Sequence, residues 1–163
     1  MLQSQEELLN ILDELNIEYQ NKEHPPVFTV EEANLHHQGI NGVHSKNLFF
    51  KDKKKNLFLV ITLDDKPIKI KEVAKTIGAK NMSFAKPDLL MEILGMIPGA
   101  VPPFAAVNIP KDREVKIVLD QEMMEKDLLN FHPLVNTATT TIKAGDLVKF
   151  LEHVGQAPEI IQL

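Results

Sequence analysis

The strongest constraint on the fold is a pair of β-rich runs, NLFF at 47–50 and LFLVITL at 57–63, separated by the polar stretch KDKKKN. Branched and aromatic side chains suit a pleated surface. Two such runs with a short polar connection read as a hairpin whose turn is longer than the tightest two-residue types. The hairpin places Lys53, Lys54 and Lys55 at its tip and Lys51 beside it, with Lys46 at the mouth of the first strand.

Helical patterns flank the hairpin. Ser4 and Glu7 have the spacing of a capping box, and Leu8, Ile11, Leu12 and Leu15 follow at helical intervals, so residues 5–16 are predicted to be an amphipathic helix. A short strand is expected at Ile17–Tyr19. Pro25 and Pro26 then break the chain, and Thr29 with Glu32 opens a second short helix toward His37. Ile70, Val73, Ala74 and Ile77 mark a third helix ending at Gly78, and Pro87 begins a fourth that runs to Gly95. Apolar strands are expected near Ala105–Ile109 and Val115–Leu119, then a β-branched TATTTI run, and a last helix from about Ala144 to His153, closed by Gly155. Strand pairs mixed with single helices predict an α+β fold around a mixed sheet. The length of 163 residues, 44% of them hydrophobic, suits a single domain spanning 1–163.

Composition narrows the chemistry. The chain has no cysteine, which excludes disulfides, thiolate metal sites and thiol catalysis. The start MLQSQEELLN lacks the basic segment and apolar run of a secretory signal, and no apolar stretch approaches the roughly 20 residues that span a bilayer, so the expected location is the cytoplasm, with no membrane partner. A net charge of −5 argues against a broad nucleic-acid coat, DNA included, and leaves room for a local basic patch. Gly-x-Ser-x-Gly, His-Glu-x-x-His, Walker and dinucleotide motifs are all missing. His36 and His37 are adjacent and diverge on any regular element, so they read as solvated histidines; no metal and no cofactor is expected.

Three stretches could still carry function. A lysine at a strand start is ordinarily a solvent-facing side chain, and composition alone favours that for Lys46. The functional alternative is a small cationic surface of Lys46, Lys51, Lys53, Lys54 and Lys55 that meets phosphates. PGAVPPF, from Pro98, has Gly99 and three prolines fixing the backbone; it fits equally a loop that presents amides to a carbonyl and a plain rigid connection. FHPLVNTATTT places His132 near Asn136 and Thr137, where the ordinary reading is a buried, hydrogen-bonded histidine.

Taken together, EHPPVFTVEEA, HSKNLFFKDKKKNLFLV, LGMIPGAVPPFA and FHPLVNTATTTIKAGDLVKFL resemble the freestanding relatives of the bacterial prolyl-tRNA synthetase editing domain, the YbaK and ProX group, and most of all its ProX or PrdX type. The likeness runs in order from about residue 5 to residue 152. It implies an α+β domain with a barrel-like mixed sheet surrounded by helices. The implied activity is hydrolysis, in trans, of the ester joining a wrong amino acid to tRNA, above all alanine on proline tRNA. A broader or cysteine-directed deacylase and a non-catalytic tRNA-binding module are the alternatives. Lys46 matches the lysine thought to bind the phosphate of the terminal adenosine, and Gly99–Pro103 the loop thought to hold the aminoacyl group; His132 also matches, giving Lys46, Gly99 and His132 as the implied catalytic set. The implied substrate-binding residues are Phe28, Thr29, Asn47, Ala100, Val101, Pro102, Pro103, Asn136 and Thr137, with Lys46, Lys51, Lys53, Lys54 and Lys55 on the tRNA. The implied partners are the acceptor end of mischarged tRNA and, transiently, prolyl-tRNA synthetase.

Overall fold

A computed structural model describes residues 3–26, 41–99 and 101–163. In chain order the elements are α1 (Gln5–Glu14), β1 (Tyr19–Glu23), β2 (Val43–Lys51), β3 (Leu57–Leu63), α2 (Ile70–Ile77), β4 (Ser83–Phe84), α3 (Pro87–Leu94), a 3-10 helix (Pro103–Asn108), β5 (Val115–Asp120), α4 (Gln121–Met124), β6 (Leu128–Phe131), β7 (Ala138–Lys143), α5 (Ala144–His153) and β8 (Glu159–Ile161). The fold is α+β, as expected.

Eight strands form one mixed sheet in the order β1-β7-β6-β2-β3-β5-β8, with β4 paired to β2. The hairpin is its spine: β2 and β3 pair antiparallel from Ser45 opposite Leu63 to Lys51 opposite Leu57. β3 is buried at every position, because apolar clusters cover both faces of the sheet. The larger cluster includes Leu8, Leu12, Phe49, Phe104, Phe131 and Phe150. The smaller one joins Phe50, Phe58, Val60 and Val118 to Val73, Ala74 and Ile77 of α2.

Local signals set most boundaries. The Ser4 side chain accepts from the Glu7 amide at the start of α1, while α2 and α3 end at Gly78 (φ 79°) and Gly95 (φ 67°) in the left-handed region that glycine tolerates. α1 stops at Glu14 instead of continuing to residue 16, because Asn16 turns the chain at φ 58°. Ile17 is then buried and the first strand starts at Tyr19. The strand expected at Ala105–Ile109 is instead the 3-10 helix. Pro102 and Pro103 offer no N–H to a ladder, Ala105 N donates to Pro102 O at 3.0 Å, and the small Ala105 and Ala106 let this tight turn pack inside the core. The predicted helix from Thr29 toward His37 lies outside the described residues.

Candidate functional site

β2 changes partners along its length. Val43 and His44 pair in parallel with Leu129 and Asn130 of β6, and from Ser45 onward the strand pairs with β3. Gly42 makes this possible. Its φ is +92°, and a Cβ there would sit 2.6 Å from the carbonyl oxygen of Leu128. With His44 opposite Asn130, Lys46 and His132 each lie two residues beyond one register pair on neighbouring segments. Side chains alternate along β2, so Lys46 shares a face with Leu48 and Phe50, whereas Asn47 shares the opposite face with Phe49. The structure therefore separates Asn47 from Lys46, and Asn47 Oδ1 instead accepts from the Ser45 hydroxyl at 3.1 Å.

Lys46 is half-buried and its Nζ donates to the main-chain carbonyl of Lys66. Lys66 is itself anchored, its Nζ lying 2.9 Å from both Asp120 Oδ2 and Glu122 Oε2. Burial alone would lower the Lys66 pKa, yet the bonds to Glu122 and Asp120 outweigh it and raise the value above that of an ordinary lysine. Thr62, directly opposite Lys46 on β3, donates to the same Asp120 oxygen at 2.6 Å.

His132 is half-buried just after β6, and its ring meets that of His24 edge-on at a centroid distance of 6.3 Å. The β-branched run that follows forms a polar ladder. His24 Nε2 lies 2.9 Å from the Thr139 hydroxyl, Thr140 donates to Asn21 Oδ1 at 2.9 Å, and Thr141 donates to Asn130 Oδ1. Asn130 Nδ2 donates in turn to the carbonyls of Asn41 at 2.8 Å and Val43 at 3.1 Å. Buried threonines thus find partners on β1 and β6, as buried hydroxyls must. Asn136 and Thr137 belong to the turn that joins His132 to β7, half-buried and exposed respectively.

The PGAVPPF loop enters from the other side. Gly99 is exposed with φ 84° and nothing within 4 Å of a would-be Cβ, so glycine is needed for the backbone angle and not for space. Val101 is half-buried against the larger core, Pro102 and Pro103 are buried, and Phe104 is fully buried. The Phe104 ring stands edge-on to Phe131 at 5.7 Å and to Phe150 at 5.4 Å, which ties the loop to the residue next to His132. Ala100, Phe28 and Thr29 lie outside the described residues.

One expected grouping does not form. Lys46 is the fourth residue of β2, whereas the tip lysines lie at and beyond its far end, and the five steps from Lys46 to Lys51 span roughly 17 Å at the usual strand rise. They are no single patch. The tip is built around the buried Asp52, which accepts from the amides of Lys54 at 2.9 Å and Asn56 at 2.8 Å. Burial would raise the Asp52 pKa, but donors from Asn56, Lys54 and Lys80 outweigh it and hold the carboxylate below its usual range. Lys51, Lys53, Lys54 and Lys55 are left exposed, and Lys53 N donates to Lys80 O at 2.8 Å, bringing Lys80 to the tip.

Sequence reasoning missed Gly42, Lys66, Asp120, His24 and Asn130. Asp120 had a readable signal, since it follows the apolar run IVL just before the polar start of α4. Nothing local marks Lys66. Among the described residues no group of three or more His, Cys, Asp or Glu could hold a metal, and no helix is long and apolar enough to cross a membrane.

The family model of the aminoacyl-tRNA editing domain matches residues 24–150. A Danio rerio protein named prolyl-tRNA synthetase associated domain-containing protein 1 is 41% identical over 157 residues, covering 95% of this chain and 85% of that protein. The prolyl-tRNA editing protein ProX of Acetoanaerobium sticklandii is 34% identical over 154 residues, 93% of either chain. Among solved structures, a candidate trans-editing enzyme for prolyl tRNA synthetase superposes with a TM-score of 0.71 at 17% identity, covering 100% of this chain and 99% of its own, a likeness of fold.

Proposed function

The chain belongs to the aminoacyl-tRNA editing domain family, and from that premise we propose that it is a trans-editing deacylase that hydrolyses mischarged tRNA, with alanine on proline tRNA as its main substrate. The observation that carries this reading is the family match over residues 24–150; the anchored Lys46 ammonium, His132 just after β6, and the Gly99 loop, whose Phe104 packs on Phe131, supply groups that such chemistry calls for. An ammonium has three donors and the Lys66 carbonyl takes one, so Lys46 keeps hydrogen-bonding capacity for a phosphate. An aminoacyl ester is already activated and has a vicinal ribose hydroxyl beside it. Holding it in place and polarising its carbonyl with backbone amides supplies much of the acceleration without a nucleophilic side chain. In the step proposed, water oxygen joins the carbonyl carbon while the vicinal ribose hydroxyl relays one water proton to the leaving ribose oxygen; the ester C–O bond breaks, that oxygen leaves as a hydroxyl, and the amino acid departs as a carboxylate with its second proton passing to solvent.

Charge distribution supports an RNA substrate. Eleven of the 18 basic residues but four of the 23 acidic ones fall between residues 46 and 86, a local charge of +7 in a chain whose total is −5. These residues form the hairpin, β4 and α2, so the positive charge is concentrated in the segment that contains Lys46. A deacylation assay with purified protein and a panel of mischarged and correctly charged proline tRNAs tests the reading. Alanine ester should be hydrolysed and proline ester spared, because a small apolar pocket excludes a larger group by clash more sharply than it rejects a smaller one. Equal rates on the two esters would overturn the assignment, and faster loss of cysteine than alanine would move it to a cysteine-directed editor.

A further inference from the structure

We propose that Asp120 is a positioning residue for Lys46, acting through Lys66 and Thr62. The Asp120 carboxylate has no solvent exposure at the end of β5, a place where an unpartnered charge would be costly. Its two oxygens have different partners. Oδ1 accepts from the amides of Glu122 at 3.3 Å and Leu163 at 3.5 Å, which is the work of a helix cap for α4 and a tether for the C-terminal strand. A cap needs no more than that oxygen. Oδ2 points to β3 and the turn after it, where it takes the Thr62 hydroxyl at 2.6 Å and the Lys66 ammonium at 2.9 Å.

Both partners of Oδ2 are neighbours of Lys46. Thr62 is the residue opposite Lys46 in the β2–β3 register, and the Lys66 carbonyl accepts from Lys46 Nζ. The turn between them is held on its other side too, since Asp64 N donates to His44 O at 3.0 Å and Lys66 N to Leu63 O at 3.2 Å. Lysine carries a flexible four-carbon stem, and ordering it on ligand binding costs affinity. A carboxylate that fixes the turn removes much of that cost in advance, and because it meets Lys46 through a neutral carbonyl it leaves the ammonium charge unspent.

The test reads Lys46 directly. Lysine ammonium resonances of the nitrogen-15-labelled protein are recorded at low temperature, with the Lys46 signal identified by its loss in Lys46→Met. In Asp120→Asn the Lys46 signal is expected to shift or to broaden away through faster proton exchange. The same change is expected in Lys66→Met, and the double variant should add nothing further, since both act along one path. Asp52→Asn is the control for a merely structural role: it removes a buried carboxylate at the far end of β2 and should leave the Lys46 signal in place even where it lowers the melting temperature. If Asp120→Asn does not fold, Lys66→Met decides alone, its side chain being 17% exposed in the native protein. A folded variant with an unchanged Lys46 resonance overturns the proposal. The consequence for turnover rests on the deacylase reading: kcat/KM for the alanine ester should fall about tenfold in either variant, mainly through KM, as expected for roughly 1.4 kcal/mol of lost substrate binding. Wild-type protein that hydrolyses no ester but shows the resonance changes would refute the deacylase reading while supporting this one.

Discussion

Lys46 reaches a main-chain carbonyl and not a carboxylate, so its position is held while its charge stays available to an anion. Lys46→Ala should abolish deacylation, by at least ~100-fold, yet change stability by no more than about 1 kcal/mol, because a half-buried lysine contributes little to packing. Paired turnover and thermal melting measurements check this, and near-wild-type turnover by a folded variant removes Lys46 from the mechanism. At the other end of the strand Asp52 makes a pH prediction. Its folded pKa lies below the unfolded value of about 3.9, so the stabilisation is fully present above that pH and is lost as the pH falls through the folded value. Thermal unfolding followed from neutral pH to well below ~4 should show the stability gap between wild type and Asp52→Asn narrowing on the acid side. A gap independent of pH would show that the carboxylate charge does not hold the turn.

At the scale of elements, the connection between α3 and β5 departs most from its pattern. Apolar residues at 105–109 look like a strand, but two prolines before them and two alanines within them produce a buried 3-10 turn whose main anchor is Phe104. Phe104 thereby becomes a core residue joining the Gly99 loop to β6 and α5, and Val101 of that loop stays part-exposed. Phe104→Ala should cost about 3–5 kcal/mol and reduce turnover as well, since the loop loses its tether. Denaturant unfolding measures the first and the alanine-ester assay the second. Val101→Ala, in contrast, should raise activity on bulkier esters before it lowers activity on alanine, which a comparison of alanine and proline esters reads out. Gly42 governs the other junction. Its Ala variant must place a methyl against the Leu128 carbonyl with a φ of +92°, so it should disturb the pairing of β2 with β6, the strand that His132 follows. Loss of activity greater than loss of stability is the expected result.

Over the whole molecule, net positive charge is concentrated in residues 46–86, which build the hairpin and α2, while most of the acidic residues lie elsewhere. If that face carries RNA, binding must release counterions, and each phosphate contact contributes about 0.7–0.9 to the slope of log affinity against log salt. Changing Lys53, Lys54 and Lys55 together to alanine should reduce the slope by roughly 2. An unchanged slope would take the tip off the RNA. The sequence by itself determined the hairpin, the helices with their serine and glycine caps and the α+β class, because alternation, helical spacing and left-handed glycines act over a few residues. It also pointed to Lys46, Gly99 and His132, through motifs whose order along the chain resembles a family. Tertiary structure alone decided that β2 leaves β6 for β3 at Ser45, that Lys46 and Asn47 face opposite ways, that the tip lysines stand a strand's length from Lys46, and that Asp120 lies behind it. Those relations join residues 46 to 120 and 46 to 132, and no local pattern encodes them: they follow from how the strands are ordered in the sheet and from buried polar groups that must find partners across it.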